Sequence, residues 1–326
     1  MDLRPGLHDR RDLLAAGLVD GELRRAVRAG RIALLRPGAY LAGPRPESHE
    51  ARHALLVHAT AARLAADAVV SHVSAPVLYG LPVWNIPLGR VHVTRDRGSG
   101  GRCDRLLHVH VAPLEPHEVR AADGVAVTSP ARAVVDVART AGFEEAMVVA
   151  DAALHARLVT PAELAAALER AAGWRGIPAA PRVVAFADGR AESPGETRSR
   201  IAIARAGLPV PVLQWPVHSD DGDALGYADF AWPELGTVGE FDGLAKYGRL
   251  RRPGESPEQA LVREKHREDA FRAEDLWVTR WVWSDLDRFE PVVDRIRRGF
   301  ARRERPRTLV LPTHAVGRVR GVRSRT

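Results

Sequence analysis

The sequence predicts a multi-domain α/β chain, and three observations predict it. At 326 residues it exceeds a single typical domain. Strand-like apolar runs alternate with helical periodicity over most of its length. Proline- and glycine-bearing segments, Gly43-Pro44-Arg45-Pro46 and Gly173 to Pro181, divide it. The parts so defined are residues 1–45, 46–182 and 190–300, followed by a basic tail, 301–326, with the composition of a disordered segment.

In the first part, His8 to Ala16 reads as a helix with Leu13 and Leu14 turned inward. Gly17-Leu18-Val19 is a turn. Asp20 is placed to cap a second helix from Gly21 to Ala29, which Gly30 closes. Leu23, Ala26 and Val27 form its apolar face, and Arg24, Arg25 and Arg28 fall largely on the other. Ile32–Leu35 and Ala39–Leu41 then pair around Arg36-Pro37-Gly38-Ala39, where Pro followed by Gly suits a type II turn. This is a small winged helix-turn-helix. Its second helix is expected to enter a DNA major groove, with Arg31 and Arg36 touching phosphate. A module for protein contacts is the competing reading.

The middle part is expected to be mixed α/β. An alanine-rich helix runs from about His49 to Ala66, and strands follow at 90–94, 107–111 and 125–128. Ser129-Pro130 starts a helix as N-cap and first helical position. A second helix covers Glu144 to Arg157, and Thr160-Pro161-Ala162-Glu163 is a capping box that opens a third. His108 and His110 share one face of a strand, and His92 lies on another strand. Without a carboxylate or cysteine at metal-ligand spacing, they read as a polar sheet face. Ser71-His72 suggests a nucleophile and base, but adjacent strand residues point to opposite faces and a third member is lacking.

The last part carries the order α-β-β-β-α-β-α: helix 194–206, strand 210–217, two strands flanking Pro233-Glu234-Leu235-Gly236, helix 256–273, strand 276–283 and helix 285–299. With that loop, Trp232 faces Thr237, and counting back puts Asp229 opposite Glu240, their side chains on one face. Like charges directly opposed destabilise a hairpin, so a cation, a bound metal or a retained proton is expected there. Asp242 can share the face of Glu240, while Glu234 in the loop is solvated. Lys246 and Lys265 are the only lysines in a chain with 48 Lys plus Arg, and both follow this hairpin. Arg267 and Asp269 are expected in structural ion pairs, and Trp277, Trp281 and Trp283 in core packing.

Composition narrows the setting. One cysteine, Cys103, excludes an internal disulfide framework and suits a reducing compartment. Neither a membrane-length apolar run nor a signal-peptide core is present, so the expected location is cytoplasmic, with no membrane partner. The isoelectric point near 10.3 points to a polyanionic partner. Residues 295–326 hold 11 Arg against one acid, about +10, so with +7 overall the remainder carries about −3. That tail is either a nucleic-acid-binding arm or a solubilising extension.

The C-terminal order, together with Ser193-Pro194-Gly195-Glu196, Ala228-Asp229, Glu240-Phe241-Asp242-Gly243 and Arg263-Glu264-Lys265-His266-Arg267, resembles the PD-(D/E)XK nuclease superfamily. Within it, the likeness is to very-short-patch-repair-like endonuclease domains, with a restriction-endonuclease-like fold. The N-terminal part resembles the winged helix of AbiEi-type antitoxins, and the middle part resembles their companion domain through Val70 to Ala75 and Val127 to Asp136. The nuclease resemblance implies Mg²⁺ (or Mn²⁺) on Asp229 and Glu240, with Asp242 as an added ligand and Glu196 completing the set or positioning water. Where the family pattern has Lys, two residues after Glu240, this chain has Asp242, and Lys246 or Lys265 is the expected replacement cation. Two functions follow as expectations: a metal-dependent DNA endonuclease hydrolysing phosphodiester bonds, or a non-enzymatic antitoxin-like transcriptional regulator with an inactive nuclease fold. DNA, a second copy of the chain and a cognate toxin are the expected partners.

Overall fold

The computed structural model describes residues 3–243 and 256–304. The chain is mixed α/β, with three sheets among these residues.

The N-terminal sheet has the order β1-β3-β2, built from β1 (Gly6–Asp9), β2 (Ile32–Arg36) and β3 (Ala39–Ala42). Strand β1 occupies residues expected to be helical, so α1 is shorter, Arg10–Ala15. Asp9 caps it by accepting from the Arg11 amide at 2.8 Å. In α2 (Asp20–Arg28), Glu22 rather than Asp20 supplies the cap, accepting from the Val19 amide at 3.0 Å. Asp20 is instead gripped in a fork by Arg10, Nε to Oδ1 at 2.9 Å and Nη2 to Oδ2 at 2.5 Å. Leu13, Leu23, Ala26, Ile32 and Ala42 form the small core.

The second sheet has six strands in the order β6-β7-β5-β4-β9-β8. They are β4 (Ala68–Val70), β5 (Val91–Arg95), β6 (Arg102–Cys103), β7 (Leu107–Val111), β8 (Val119–Ala122) and β9 (Val125–Thr128). The pairs β5/β7 and β4/β9 are parallel, and the others are antiparallel. The helices here are α3 (His49–Ala61), α4 (Ser74–Leu78), α5 (Pro130–Ala138), α6 (Phe143–His155), α7 (Pro161–Arg170) and α8 (Ala180–Phe186). Val70, Val91, Val93, Leu107 and Val109 of the strands form a core with Val57 of α3. Ser129 caps α5, and three residues on, Arg132 makes a buried i,i+4 pair with Asp136 at 3.0 Å. The Val127–Asp136 motif thus builds a helix start and an internal ion pair.

The third sheet runs β10-β11-β12-β13: Val212–His218, Ala224–Trp232, Thr237–Asp242 and Trp277–Val282. Its first three strands are antiparallel and β13 joins β12 in parallel. Helices α9 (Pro194–Arg205) and α11 (Glu290–Glu304) share a core with Phe230, Phe241 and Trp281. Helix α10 (Pro257–Ala273) sets Phe271 against Val217, Ala231 and Val238. A Cβ on Gly195 would collide with the Phe241 ring, so glycine is what lets α9 close onto β12. Trp281 is 1% exposed and donates Nε1–H to Ser199 Oγ at 2.7 Å, as its core assignment requires.

Helix α9 also ties the third sheet to α6. Asp151 is buried and accepts from Arg200 at 2.8 Å, Thr197 Oγ1 at 2.9 Å and the Asp188 amide at 2.8 Å. Burial pushes its carboxyl up to about 6 in spite of Arg200. No helix of the described residues is long and apolar enough to cross a membrane.

Candidate functional site

The hairpin register places Trp232 opposite Thr237, Ala231 opposite Val238 and Phe230 opposite Gly239. One step further brings Asp229 opposite Glu240. In β13 the partner of Glu240 is Arg280. In β10, Leu213 faces Phe230 and Trp215 faces Ala228, so Gln214 lies across from Asp229. A polar row, Gln214–Asp229–Glu240–Arg280, therefore crosses all four strands of the sheet.

The charge in this row is compensated by arginine. Glu240 is fully buried and receives Arg267 Nη2 at 2.6 Å and Arg280 Nη2 at 3.0 Å. Arg280 also reaches Asp242 at 3.4 Å and Glu268 at 3.1 Å. Arg267 is fixed in turn by the Tyr227 carbonyl at 2.7 Å. Asp229 accepts from the Phe241 amide at 2.9 Å. The like-charge pair is thus tolerated because guanidinium groups from α10 and β13 converge on it, which is how a buried carboxylate escapes its desolvation cost.

Glu196 sits with the start of α9. Its carboxylate takes the Ser193 hydroxyl at 2.8 Å, the Glu192 amide at 2.9 Å and Gln214 Nε2 at 3.1 Å, while Ser193 Oγ accepts from the Glu196 amide at 3.2 Å. Ser193-Pro194-Gly195-Glu196 therefore works as N-cap, first-turn proline, close-packing glycine and reciprocal capping carboxylate. Gln214 reaches it with a left-handed backbone, φ +48°, within β10. Lys265 is exposed on α10, and Lys246 lies outside the described residues. Asp229, Glu240 and Asp242 are the oxygen donors expected for Mg²⁺, yet Glu240 already carries two guanidinium contacts where a dication would need its charge. The set as arranged does not fit that ion.

The N-terminal unit uses arginine differently. Arg24, Arg25 and Arg28 are exposed on α2, and Arg31 is exposed just beyond it. None of these four makes an ion pair within the described residues. Arg36 departs from its expected phosphate-facing place. It is half-buried, and burial and the charge of Arg63 lower its pKa. Arg63, from the end of α3, bonds Asp9 at 2.5 Å and the Gly38 carbonyl at 2.6 Å, pinning the hairpin to the middle part.

In the middle part the histidines converge in a way that their spacing did not show. His92 on β5 is the register partner of His108 on β7, and His110 lies two residues on, so all three share a face. One ring nitrogen from each lies within 4.8 Å of the other two. His72 joins them, stacked on His110 with ring centroids 3.5 Å apart. Burial, reinforced by neighbouring imidazoles, pushes His92 down to about 4 and His110 to about 2, so both are neutral near pH 7. Ser71 and His72, expected on opposite faces, instead touch, Oγ to Nδ1 at 2.9 Å. They lie past the end of β4, and His72 has φ +51°. Arg139, which carries only donors, contacts His72 Nε2 at 2.9 Å. His72 therefore holds its proton on Nδ1 and donates to Ser71, the wrong tautomer for a base that would activate it.

No protein-family model matches the chain. Two curated proteins of Mycobacterium tuberculosis, uncharacterized protein Rv2248 of strain H37Rv and uncharacterized protein MT2308 of strain CDC 1551, are each 38% identical to it over 121 residues, or 37% of this chain. The match spans 44% of the length of those relatives. The crystal structure of the RV2827C protein from the same species aligns over 66% of this chain and 82% of its own, with 16% identity and a TM-score of 0.37, a likeness too low to carry an argument.

Proposed function

We propose that this is a DNA-binding protein that docks through the arginine face of α2 and whose C-terminal unit, nuclease-like in strand order, does not cut. The docking surface is the exposed row Arg24, Arg25 and Arg28 with Arg31 beyond it. Guanidinium groups presented on the second helix of a helix-turn-helix match the backbone contacts that position such modules on a duplex. The observation that carries the choice against cleavage is the pairing of buried Glu240 with Arg267 and Arg280. It puts two fixed positive charges where the endonuclease reading needs a Mg²⁺ ligand.

Endonuclease activity is the second reading, favoured by one feature: the placement of Asp229 on one strand and of Glu240 and Asp242 on the next. Nicking of supercoiled plasmid with Mg²⁺ or Mn²⁺ separates the two. The non-cutting reading expects equal, background nicking by wild type and by Asp229→Ala/Glu240→Ala. Metal-dependent nicking by wild type that the double variant loses overturns it and installs the endonuclease.

A further inference from the structure

We propose that the middle part binds a divalent transition metal through His92, His108 and His110, with a coordination position left open to an oxyanion in the arginine-lined cleft beside them. The proposal concerns a different region from the DNA-binding surface and does not rest on it.

The sheet builds the ligand set. Parallel pairing of β5 with β7 puts His92 beside His108, and the two-residue strand repeat brings His110 onto the same face. The apolar alternates, Val91, Val93, Leu107 and Val109, are buried on the other face, so the register cannot slip without exposing them. His92 Nδ1 and His110 Nε2 lie 3.0 Å apart. Two nitrogens bound to one tetrahedral zinc at about 2.0–2.1 Å are about 3.3 Å apart. This pair needs to open by only a few tenths of an ångström, and the metal replaces the proton that two facing imidazole nitrogens must otherwise share; His108, stacked on His110 with ring centroids 3.9 Å apart, turns its ring to bring in the third nitrogen.

Neighbouring groups hold the ligands in place. The His92 amide donates to Ser74 Oγ at 2.9 Å, and Ser74 meets His53 Nε2 at 2.8 Å. His53 Nδ1 donates to the Leu88 carbonyl at 2.8 Å, which leaves Nε2 to accept from Ser74. The His92 carbonyl is fixed by the Ser71 amide at 2.9 Å. His72, anchored by Arg139, lies flat against the His110 ring. These contacts fix the His92 backbone and one face of the His110 ring.

Chemistry selects the ion and its partner. Three imidazoles favour Zn²⁺, Co²⁺, Ni²⁺ or Cu²⁺ over Mg²⁺, and three protein ligands leave a tetrahedral ion one position short. The histidines line a cleft of about 970 Å³ whose wall also includes Arg90, Arg105, Arg139 and Arg175. A bare dication among four guanidiniums is opposed by their charge. An oxyanion such as phosphate, bonded to the metal and to the arginines, offsets both. Metal and anion are therefore expected to bind cooperatively.

The test uses the full chain without added histidines, stripped of metal with a chelator. Co²⁺ titration followed by visible absorption is expected to show one equivalent in a tetrahedral field. His92→Gln, His108→Gln and His110→Gln should each weaken binding by at least about 100-fold. Phosphate should raise Co²⁺ affinity in wild type and not in Arg105→Ala/Arg175→Ala. X-ray absorption of the zinc-loaded wild type, which needs no variant to fold, should count three imidazole nitrogens at about 2.0–2.1 Å. Absence of saturable binding overturns the proposal, as does a site whose spectrum survives the three substitutions combined. Phosphate binding that is equally strong in the metal-stripped protein shows an anion cleft alone and also overturns it.

Discussion

The N-terminal unit and the acidic centre of the third sheet are both rich in arginine, and they use it in opposite ways. On α2, Arg24, Arg25 and Arg28 face solvent. Around Glu240, Arg267 and Arg280 turn inward, and their charge is matched by carboxylates within the fold. Guanidinium stays charged at any pH the protein meets, so its placement alone decides its role. Facing water, it is available to phosphate. Against a buried carboxylate, it holds the fold together.

The comparison can be broken from either side. The largest effect is expected at the inward set. Arg267→Ala/Arg280→Ala takes two guanidinium contacts from the buried Glu240 carboxylate and should lower unfolding free energy by about 3–5 kcal/mol in urea denaturation. A loss below about 1 kcal/mol would show that the two guanidiniums do not carry that charge. Gly195→Ala should follow at about 1–3 kcal/mol, because a methyl there overlaps the Phe241 ring. An unchanged melting temperature in that variant would mean that α9 does not close onto β12 as described.

Asp151 sharpens the contrast, since here a buried carboxylate keeps a raised pKa beside an arginine. Its folded value of about 6 lies above the ordinary 3.8. The folded chain thus binds the proton more tightly than the unfolded chain does. The stability this adds is fully present below about pH 4 and is lost as pH rises through about 6. Denaturation midpoints of wild type relative to Asp151→Asn should fall across that window. A flat difference would place the Asp151 pKa near its ordinary value.

What was legible in the sequence was local. The Pro233–Gly236 loop fixed the hairpin register, and Thr160-Glu163 formed the capping box expected of it, with Thr160 and Glu163 exchanging bonds at 2.8 and 3.2 Å. Short strands were not legible. His8 and Asp9 look like the start of a helix, and Ala68-Val69-Val70 follows the alanine-rich helix without a pattern of its own, because neither strand is long enough to show a period of two. The partners of Glu240 were hidden for another reason. Arg280 reaches it through parallel pairing across 40 positions, although an arginine amid Trp277, Thr279 and Trp281 was a signal that something opposite needed charge. The histidine cluster depends on the same kind of pairing, β5 with β7, which strand patterns alone do not specify.

The outward set gives the most direct test. Fluorescence anisotropy with a mixed-sequence duplex, stepped through salt, compares wild type with Arg24→Ala/Arg25→Ala/Arg28→Ala. The account predicts an unchanged melting temperature, weaker binding at every salt concentration, and a slope of log affinity against log salt that is shallower by about 1 per phosphate-contacting arginine removed. A triple variant that binds with wild-type affinity and slope would contradict it.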